Sequence, residues 1–364
     1  MTDLLYTDVE EHLRSSVRDL ISKRSTSAEA LKRAETDEPY DPALWQALAG
    51  LGVAGLAIDE PLGGAGASWR EVAVVAEELG RSVAPTPFLG SAVVATAAAQ
   101  AAGDTDLLAR MASGEIIVTL AASLAGTPHA AGAAGLALTG TTLTGSVTNV
   151  IDAITADVLL VPVRDGDAVS LVAVAAADTH RSDVASLDLT RPVSDLAFDN
   201  APVTIVAEGD AAQRAITNAW LVGSAILASE QLGLAQQCLD MTVDYVKSRY
   251  QFGRPIGSFQ ALKHRLADVW VSVTHARAVA RYAVACVTDG DADATVSVSL
   301  AQAYCSPMAV TAAEECVQLH GGIGFTWEHP AHLYLKRAKA DSLLFGTAAT
   351  HRARLGGLVG LPPQ

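Results

Sequence analysis

The stretch Tyr245–Val269, with the sequence YVKSRYQFGRPIGSFQALKHRLADV, decides the fold of this chain. A helical pattern runs up to Arg249, a turn follows at Phe252, and a second helical pattern comes after the turn. Near a helix end, the Arg249 guanidinium can form a charge-assisted, bidentate contact with a phosphate that lysine would not reproduce. Phe252 offers an apolar face, and Gln260 can both donate and accept hydrogen bonds. These side chains are suited to holding a phosphorylated cofactor.

A second stretch of this kind, Gln318–His329 with the sequence QLHGGIGFTWEH, lies further along the chain. Gln318 again offers both a hydrogen-bond donor and an acceptor. Gly321 and Gly322 carry no Cβ, so their backbone N–H groups can approach a phosphate closely. Taken singly, Arg249 is explained as well by a surface ion pair, and the two glycines by a plain loop. Their combination and order favour a cofactor site.

The composition is that of an ordinary globular protein. The chain has 364 residues, half of them apolar and 18% charged, and a formal net charge of −15. Such an acidic balance argues against a general nucleic-acid role, because that binding rests on neutralising phosphates with Lys and Arg. The N-terminus lacks the order of a signal peptide, and no stretch has the apolar length of a membrane span. We expect a cytoplasmic protein. The cysteines form no CxxC pair and indicate buried free thiols rather than a zinc site: Cys238, Cys286, Cys305 and Cys316.

Three blocks of different periodicity divide the chain. The first, up to about Ala112, is helical, with one helix expected within Asp8–Arg33 and an N-cap at Asp41 before Pro42. The second contains short segments that predict an antiparallel sheet or small barrel: Ile116–Ala122, Leu136–Thr141, Asp157–Val163, Val169–Ala175 and Val193–Asp199. The third predicts an up-down bundle of four long helices: Ala212–Arg249, Ser258–Val287, Ala294–His320 and Ala331–Leu358.

Tyr245–Val269 closely resembles a signature of the acyl-CoA dehydrogenase family, in which an Arg and a QFG turn precede a Pro-Ile and a Phe-Gln. Gln318–His329 resembles a second signature of that family, its Gln-x-x-Gly-Gly loop, and the PLGGAG turn and EELGR helix end fit its N-terminal domain. The resemblance covers essentially the whole chain. It implies an α+β fold with an N-terminal helical domain at 1–113, a middle antiparallel β-domain at 114–205 and a C-terminal four-helix bundle at 206–364. The bundle would carry the oligomer contacts and the residues that bind FAD: Arg249, Gln251, Phe252, Gln260, Gln318, Gly321 and Gly322.

The catalytic base of the family is missing at both places where its members carry it. These enzymes use a glutamate to remove the proton alpha to the thioester, while a hydride passes from the beta carbon to the flavin. Many members place this glutamate in a Glu-Gly-Thr near the C-terminus, where this chain has LLFGTAAT with Phe345. Others place it on the long helix before the Arg-QFG motif, where alignment on LGLAQ gives Gly223. Glu230 lies two turns further on, about 10 Å along the axis, and is expected to be structural or on the surface.

Residues that cover a subunit's own flavin ring in this family are altered as well. A Thr-Glu-Pro-like strand is replaced by LAASLAGTPHA at Leu120–Ala130, which has no acidic residue. In GSVTNVIDAITAD, alignment on Ala156-Asp157 puts Asn149 at a tryptophan position and Ile151 at a threonine position. In the family's dimers, the Arg, QFG, Phe-Gln and Gln-x-x-Gly-Gly residues reach across to the FAD of the neighbouring subunit. Those residues are retained here.

This selective loss resembles the base-lacking subunit of actinobacterial heterotetrameric (α2β2) acyl-CoA dehydrogenases, which often act on CoA thioesters of steroid side chains. The resemblance implies a partner subunit that supplies the catalytic glutamate, an acyl-CoA substrate, electron-transfer flavoprotein as acceptor, and no catalytic residue in this chain.

Two alternatives stay open. One is a self-sufficient enzyme whose base has moved elsewhere in the chain, and the other is an acyl-CoA-binding protein of the same fold without redox chemistry. The candidates for a relocated base are Glu230, Glu314, Glu315 and Asp341. For Trp327-Glu328-His329, a role in structure or in the substrate cavity is favoured over catalysis.

Overall fold

The computed structural model describes residues 4–34, 36, 38, 40–132 and 135–361. Helices fill the first part of this chain, a seven-stranded sheet the middle, and helices again the last part. The α+β class and its order of blocks are as the sequence predicts. The first and last residues of the expected domains, 1–3 and 362–364, lie outside the described residues.

The first block consists of short helices. Asp8–Arg33 forms two helices rather than one, because Thr26 caps the second: its hydroxyl accepts from the Glu29 N–H, and the Glu29 carboxylate accepts from the Thr26 N–H. The predicted N-cap at Asp41 is confirmed. A π-helical segment, Phe88–Ala95, leads into the fifth helix. The helices are α1 (Asp8–Arg24), α2 (Ser27–Arg33), α3 (Pro42–Gly50), α4 (Trp69–Ser82), α5 (Thr96–Ala102) and α6 (Thr105–Ala112).

The sheet has the order β1-β4-β5-β7-β3-β2, with β6 also paired to β7. Its strands are β1 (Val118–Leu120), β2 (Leu136–Thr139), β3 (Thr142–Ile151), β4 (Val158–Asp165), β5 (Ala168–Ala175), β6 (His180–Val184) and β7 (Val193–Glu208). All pairs are antiparallel except β1 with β4, which are parallel. The chain returns between those two through the β2–β3 hairpin instead of a helix, so the antiparallel expectation holds for all but this pair.

The third block is built on three long helices. These are α7 (Gly209–Ser248), α8 (Gln260–Asp289) and α9 (Ala294–His320), with a hairpin of β8 (Tyr250–Gln251) and β9 (Arg254–Pro255) between the first two. The prediction of a single fourth helix was wrong, since α10 (Ala331–Asp341) ends before α11 (Ala348–Leu358) begins. Phe345 and Gly346 have φ of 59° and 104°, outside the helical range, and they break it.

Helix α7 lies at the centre of the molecule, where it packs against α4, α8 and α9. Helices α7 and α9 are parallel neighbours. The Gln302 amide of α9 donates to the Ser224 carbonyl of α7 over 2.7 Å, and further along His320 stacks on Tyr245. The ends of α7 and α9 and the start of α8 therefore meet at one end of the bundle.

The four cysteines are buried and free, as the sequence indicates. Within the described part of the chain, no helix is both long enough and apolar enough to cross a bilayer.

Candidate functional site

The residues assigned to cofactor binding all lie exposed at this end of the bundle. They occupy the end of α7, the following hairpin, the start of α8 and the end of α9: Arg249, Gln251, Phe252, Gln260, Gln318, Gly321 and Gly322. The structure thus brings together residues that are far apart in sequence. They face outward from the chain.

The turn of the hairpin displays Phe252 to solvent. Gln251 pairs with Arg254, so Phe252 and Gly253 form a two-residue turn, and their φ values are 54° and 77°. Such type I′ turns favour Asn or Gly, because a side chain in the left-handed region costs about 1–2 kcal/mol. The Phe252 ring is 91% exposed, and it packs edge-on with Phe259 at 6.1 Å between the ring centroids. Burial within this chain therefore does not offset the strain.

We expect Phe252→Asn to stabilise the isolated chain by roughly 0.5–1 kcal/mol, because asparagine tolerates the left-handed conformation. Thermal unfolding of the purified chain measures the change. Phe325→Asn is the matched control, since Phe325 is 78% exposed but has no positive φ. Equal effects of the two substitutions would show that loss of exposed apolar surface, not relief of strain, is responsible.

His320 holds the loop that follows α9. Its ring stacks on Tyr245 and also contacts His329, each with 4.4 Å between ring centroids. Gly321 follows with φ 63° and ψ −140°, a backbone region essentially restricted to glycine. A Cβ built on Gly321 or Gly322 would meet nothing within 4 Å. Close packing inside the chain therefore does not explain the pair, and their backbone is open to an outside ligand.

Two features at this end are suited to an anion. The Arg249 side chain makes no hydrogen bond or ion pair with the residues that the structure describes, although its backbone is fixed by Tyr245 and Ile256. Helix α8 begins at Gln260 with Phe259 at its N-cap and no side-chain cap. The first-turn N–H groups of a helix without a side-chain cap attract negative charge. An unpaired guanidinium beside such a helix start can hold a phosphate.

Gly223 and Phe345 are in contact with each other. They are the two positions at which the family resemblance places the catalytic base. A Cβ built on Gly223 would lie 2.5 Å from Cζ of Phe345. The Phe345 ring is buried and packs edge-on against Trp220, with 6.2 Å between the ring centroids. Trp220 is buried too. Two aromatic rings therefore fill this space, and neither can accept a proton.

The backbone around Phe345 is held on both sides. Its N–H donates to the Leu124 carbonyl over 2.5 Å, and its carbonyl lies 3.1 Å from Nε2 of His351. The Trp220 indole N–H donates to the Gly126 carbonyl over 3.1 Å. The altered stretch Leu120–Ala130 is thus hydrogen-bonded to the Phe345 backbone and to the Trp220 ring. Sequence analysis missed His351.

Glu230 is buried in an ionic cluster that joins the sheet region to the bundle. Its carboxylate accepts hydrogen bonds from Arg191 at 2.6 and 2.7 Å and from Arg337 at 2.6 Å. Burial alone would raise the pKa of Glu230, but the two guanidinium groups hold it below its usual value. Glu230 is therefore a structural anion and a weak base. Its distant partners gave no signal in the sequence.

Asp341 and Asp152 are two of the further buried carboxyl groups in this region. Asp341 accepts from Arg191 through Oδ1 at 2.5 Å, while its Oδ2 has no partner among the described residues. Asp152 accepts from the Tyr40 hydroxyl and from the Gly90 N–H. Burial raises the pKa of Asp341 to about 8 and that of Asp152 to about 7. Burial therefore favours the protonated form of both groups.

Stability is expected to fall as the pH rises towards 8. A carboxyl whose pKa is raised in the folded state keeps its proton there, whereas the unfolded chain has already lost it above the ordinary carboxyl pKa of 3.8. The folded state then binds more protons, so the free energy of unfolding falls by up to about 1.4 kcal/mol per pH unit for each such group. Asp341→Asn should flatten this dependence between pH 5 and about 8. Unfolding curves that run parallel for the two proteins would contradict the assignment.

The other candidates for a relocated base, Glu314 and Glu315, lie on the outer side of α9. Glu314 pairs with Lys339 at 2.8 Å, and Glu315 forms a two-point contact with Arg265 at 2.7 and 2.8 Å. Both are surface or half-exposed ion pairs. Neither is part of the Phe345 and Trp220 packing.

Comparison with known proteins decides the family. The family model for the acyl-CoA dehydrogenase N-terminal domain matches residues 7–115, and the model for the C-terminal domain matches residues 214–357. Acyl-CoA dehydrogenase IpdE2 of Mycolicibacterium smegmatis is 36% identical over 352 residues, which cover 96% of this chain and 98% of that protein. The chain belongs to the acyl-CoA dehydrogenase family.

Solved structures of the family agree in fold. A variant of the Tcur3481–Tcur3483 steroid acyl-CoA dehydrogenase superposes with a TM-score of 0.87 at 29% identity, over 97% of this chain and 98% of that one. The ChsE4–ChsE5 complex from Mycobacterium tuberculosis has a TM-score of 0.87 at 28% identity, with both chains fully covered. The similarity therefore extends to family members that are solved as complexes of two named proteins.

In the part of the chain that the structure describes, neither position of the family's base carries a carboxylate. The alpha proton requires a base within hydrogen-bond reach. At the two expected positions this chain has Gly223 and Phe345, and the nearest acidic residues along the chain, Glu230 and Asp341, are engaged by Arg191. Both carboxyl groups are also buried.

Proposed function

We propose that this chain is the base-lacking subunit of a heteromeric, FAD-dependent acyl-CoA dehydrogenase. The observation that carries the proposal is the contact of Phe345 with Gly223, which puts a buried aromatic ring at both positions of the family's glutamate. A second acyl-CoA dehydrogenase-like subunit supplies the base that removes the alpha proton. Electron-transfer flavoprotein is the acceptor of the complex, and the isolated chain is inactive.

The residues at the end of the bundle fit FAD. Arg249 and the uncapped start of α8 would hold the diphosphate, and the open backbone at Gly321 and Gly322 allows close approach. Phe252 offers its exposed ring as an apolar face. Amide groups for the hydroxyl and ring polar atoms come from Gln251, Gln260 and Gln318. FAD, when bound, supplies the hydride acceptor, and residues 206–364 of this chain bind and orient the FAD.

The outward direction of these side chains supports binding in trans. An unpaired arginine and a strained, exposed phenylalanine are unfavourable in the isolated chain, and a contact outside it explains both. Trp220 and Phe345 meanwhile fill the space beside this chain's own α7. A flavin held by the exposed residues would therefore serve the active site of the neighbouring subunit.

The substrate of the complex is proposed to be the CoA thioester of a steroid side chain. The support is the similarity to the Tcur3481–Tcur3483 steroid acyl-CoA dehydrogenase at 29% identity over nearly the whole chain. The α2β2 arrangement is proposed from the same resemblance, with one FAD for each pair of subunits.

Purification of the chain by itself and together with candidate partner chains tests this function. The chain is produced by itself and together with each acyl-CoA dehydrogenase-like chain encoded beside it, and the flavin absorbance of each product is measured. A colourless chain that forms a yellow complex with one such partner supports the proposal. A yellow homomer that is reduced by an acyl-CoA would overturn it.

A further inference from the structure

Three rings meet beside the Gly321–Gly322 loop and form what we call the three-ring cluster. They belong to Tyr245 in the last turn of α7, His320 at the end of α9 and His329 just before α10. The His320 ring contacts both of the others, with 4.4 Å between ring centroids in each case. His320 is buried, and the other two residues are half-buried. The cluster therefore joins the ends of three helices at the end of the bundle that carries the exposed residues.

The contact between His320 and His329 closes the loop that lies between them. Residues 321–328 form this loop, so its two flanking side chains touch each other. Within the loop, the Thr326 N–H and hydroxyl both donate to the Ile323 carbonyl, over 3.0 and 2.8 Å. The loop thus has its ends fastened together and a hydrogen-bonded turn inside it.

Gly324 brings the same loop back onto the last turns of α9. A Cβ at this position would lie 2.6 Å from the Val317 carbonyl oxygen, so only glycine allows this approach. Gly321 and Gly322 remain exposed. Glycine loses more conformational freedom on ordering than any other residue. A loop that is fixed before a ligand arrives does not lose that freedom on binding, which raises its affinity.

Backbone hydrogen bonds orient the two imidazole rings of the cluster. The Nδ1–H of His320 donates to the Cys316 carbonyl over 2.7 Å. The Nδ1 of His329 accepts from the Ala331 N–H, the first of α10, over 3.3 Å. Both rings are therefore held by the main chain of the helices that they join.

Tyr245 connects the cluster to Arg249. It lies one helical turn earlier, and the Arg249 N–H donates to the Tyr245 carbonyl over 2.8 Å. Helix α7 ends there, since Arg249 has an extended backbone with φ −79° and ψ 121°. The direction of the guanidinium depends on how this last turn is held, and the contact of Tyr245 with His320 holds it against α9.

We propose that the three-ring cluster positions Arg249 and the Gly321–Gly322 loop for FAD before the cofactor binds. Tyr245, His320 and His329 are then positioning residues, and none of them needs to touch FAD. The inference rests on the proposed function, which assigns Arg249 and the loop to FAD, and adds the residues that hold these groups. Loss of a ring should raise the Kd for FAD without removing a group that contacts it.

Titration with FAD tests the inference on whichever assembly binds it, the proposed complex or the chain alone. We expect Tyr245→Leu to weaken FAD binding about 10-fold, because ordering one backbone residue costs about that factor. Tyr245→Phe keeps the ring and should bind FAD like the unaltered protein. His320→Ala and His320→Phe should differ in the same way. Tyr245 is half-buried, so its pair of variants gives the answer even where His320→Ala folds poorly.

A double-mutant cycle separates positioning from a merely structural role. When Arg249 is already alanine, Tyr245→Leu should weaken FAD binding by no more than about 3-fold, because the group that Tyr245 positions is missing. A merely structural role of Tyr245 would give the same factor in both backgrounds. Thermal unfolding of each variant shows whether its fold is kept.

His275→Ala is the matched control. His275 contacts Tyr304 and so also joins two helices through their rings, but Tyr304 lies about 24 Å from His320 along α9. This variant should leave FAD binding unchanged.

Three results would overturn the inference alone: no effect of Tyr245→Leu, equal effects of Tyr245→Leu and Tyr245→Phe, or the same weakening by Tyr245→Leu in both Arg249 backgrounds. If Arg249→Ala itself left FAD binding unchanged, the proposed assignment of this residue to FAD would fail, and the positioning role would fail with it. The single Arg249→Ala variant therefore distinguishes the two failures.

Discussion

A complex that carries Arg249→Ala is expected to bind FAD about 10- to 100-fold more weakly than the unaltered complex. A hydrogen bond to a charged group contributes about 1.5–3 kcal/mol, and 1.4 kcal/mol corresponds to a factor of ten. Arg249 has no partner within the described chain whose loss would confuse the result. Gel filtration followed by measurement of the remaining flavin per complex gives the change.

The controls for this prediction use the same helix and the same charge. Arg214 is exposed near the other end of α7, and Arg214→Ala should leave flavin retention unchanged. Arg249→Lys keeps the charge but loses the bidentate geometry. The flavin content of the Arg249→Lys complex should therefore lie between that of the Arg249→Ala complex and that of the Arg214→Ala complex. Full FAD occupancy in the Arg249→Ala complex would count against binding by this residue.

The Glu230→Leu variant is expected to lose about 3–5 kcal/mol of stability. Removing one member of a buried ionic cluster leaves part of the remaining charge without compensation: Arg191 would keep only Asp341, and Arg337 only Asp188, as carboxyl partners among the described residues. The cluster also joins α7 and α10 to the segment before β7, so its loss should affect packing between the sheet and the bundle. Thermal and urea unfolding of the purified chain measure the effect.

The exposed pair of Glu314 with Lys339 is the control for this second prediction. Glu314→Leu should change stability by no more than about 1 kcal/mol, because an exposed ion pair contributes little. Glu230→Gln keeps the size of the side chain while removing its charge, so it separates the effect of the charge from that of packing. A loss of stability on Glu230→Leu that is as small as that on Glu314→Leu would contradict the structural role of the cluster.

Much of the fold follows from patterns along the chain, and the departures have local causes. β3 was not expected, because Gly145 and Asn149 within it have positive φ and interrupt the alternation of side chains. β6, with the sequence HRSDV, is polar and largely exposed, so it lacks the apolar signal of a strand. The break between α10 and α11 depends on the left-handed conformations of Phe345 and Gly346. Glycine signals such a turn, whereas phenylalanine does not.

Some residues of the candidate site could be predicted from the sequence, whereas the contacts between others could not. The order of Arg249, Phe252 and Gln318 along the chain was enough to single them out, because their signatures are long. The contact between Gly223 and Phe345 joins residues more than a hundred positions apart and depends on how the segment after α10 returns to α7. The ionic cluster of Glu230 likewise unites three separate segments. Such contacts leave no periodic signal in one sequence.

The most direct measurement of the central claim is the anaerobic addition of an acyl-CoA to the isolated chain in the presence of added FAD. Butyryl-CoA, palmitoyl-CoA and a steroid side-chain CoA thioester serve as probes, and the flavin absorbance is followed. We predict no bleaching with any of them, and bleaching by at least one once the partner subunit is present. Rapid bleaching of the flavin in the isolated chain would mean that it carries its own base, and would contradict the account.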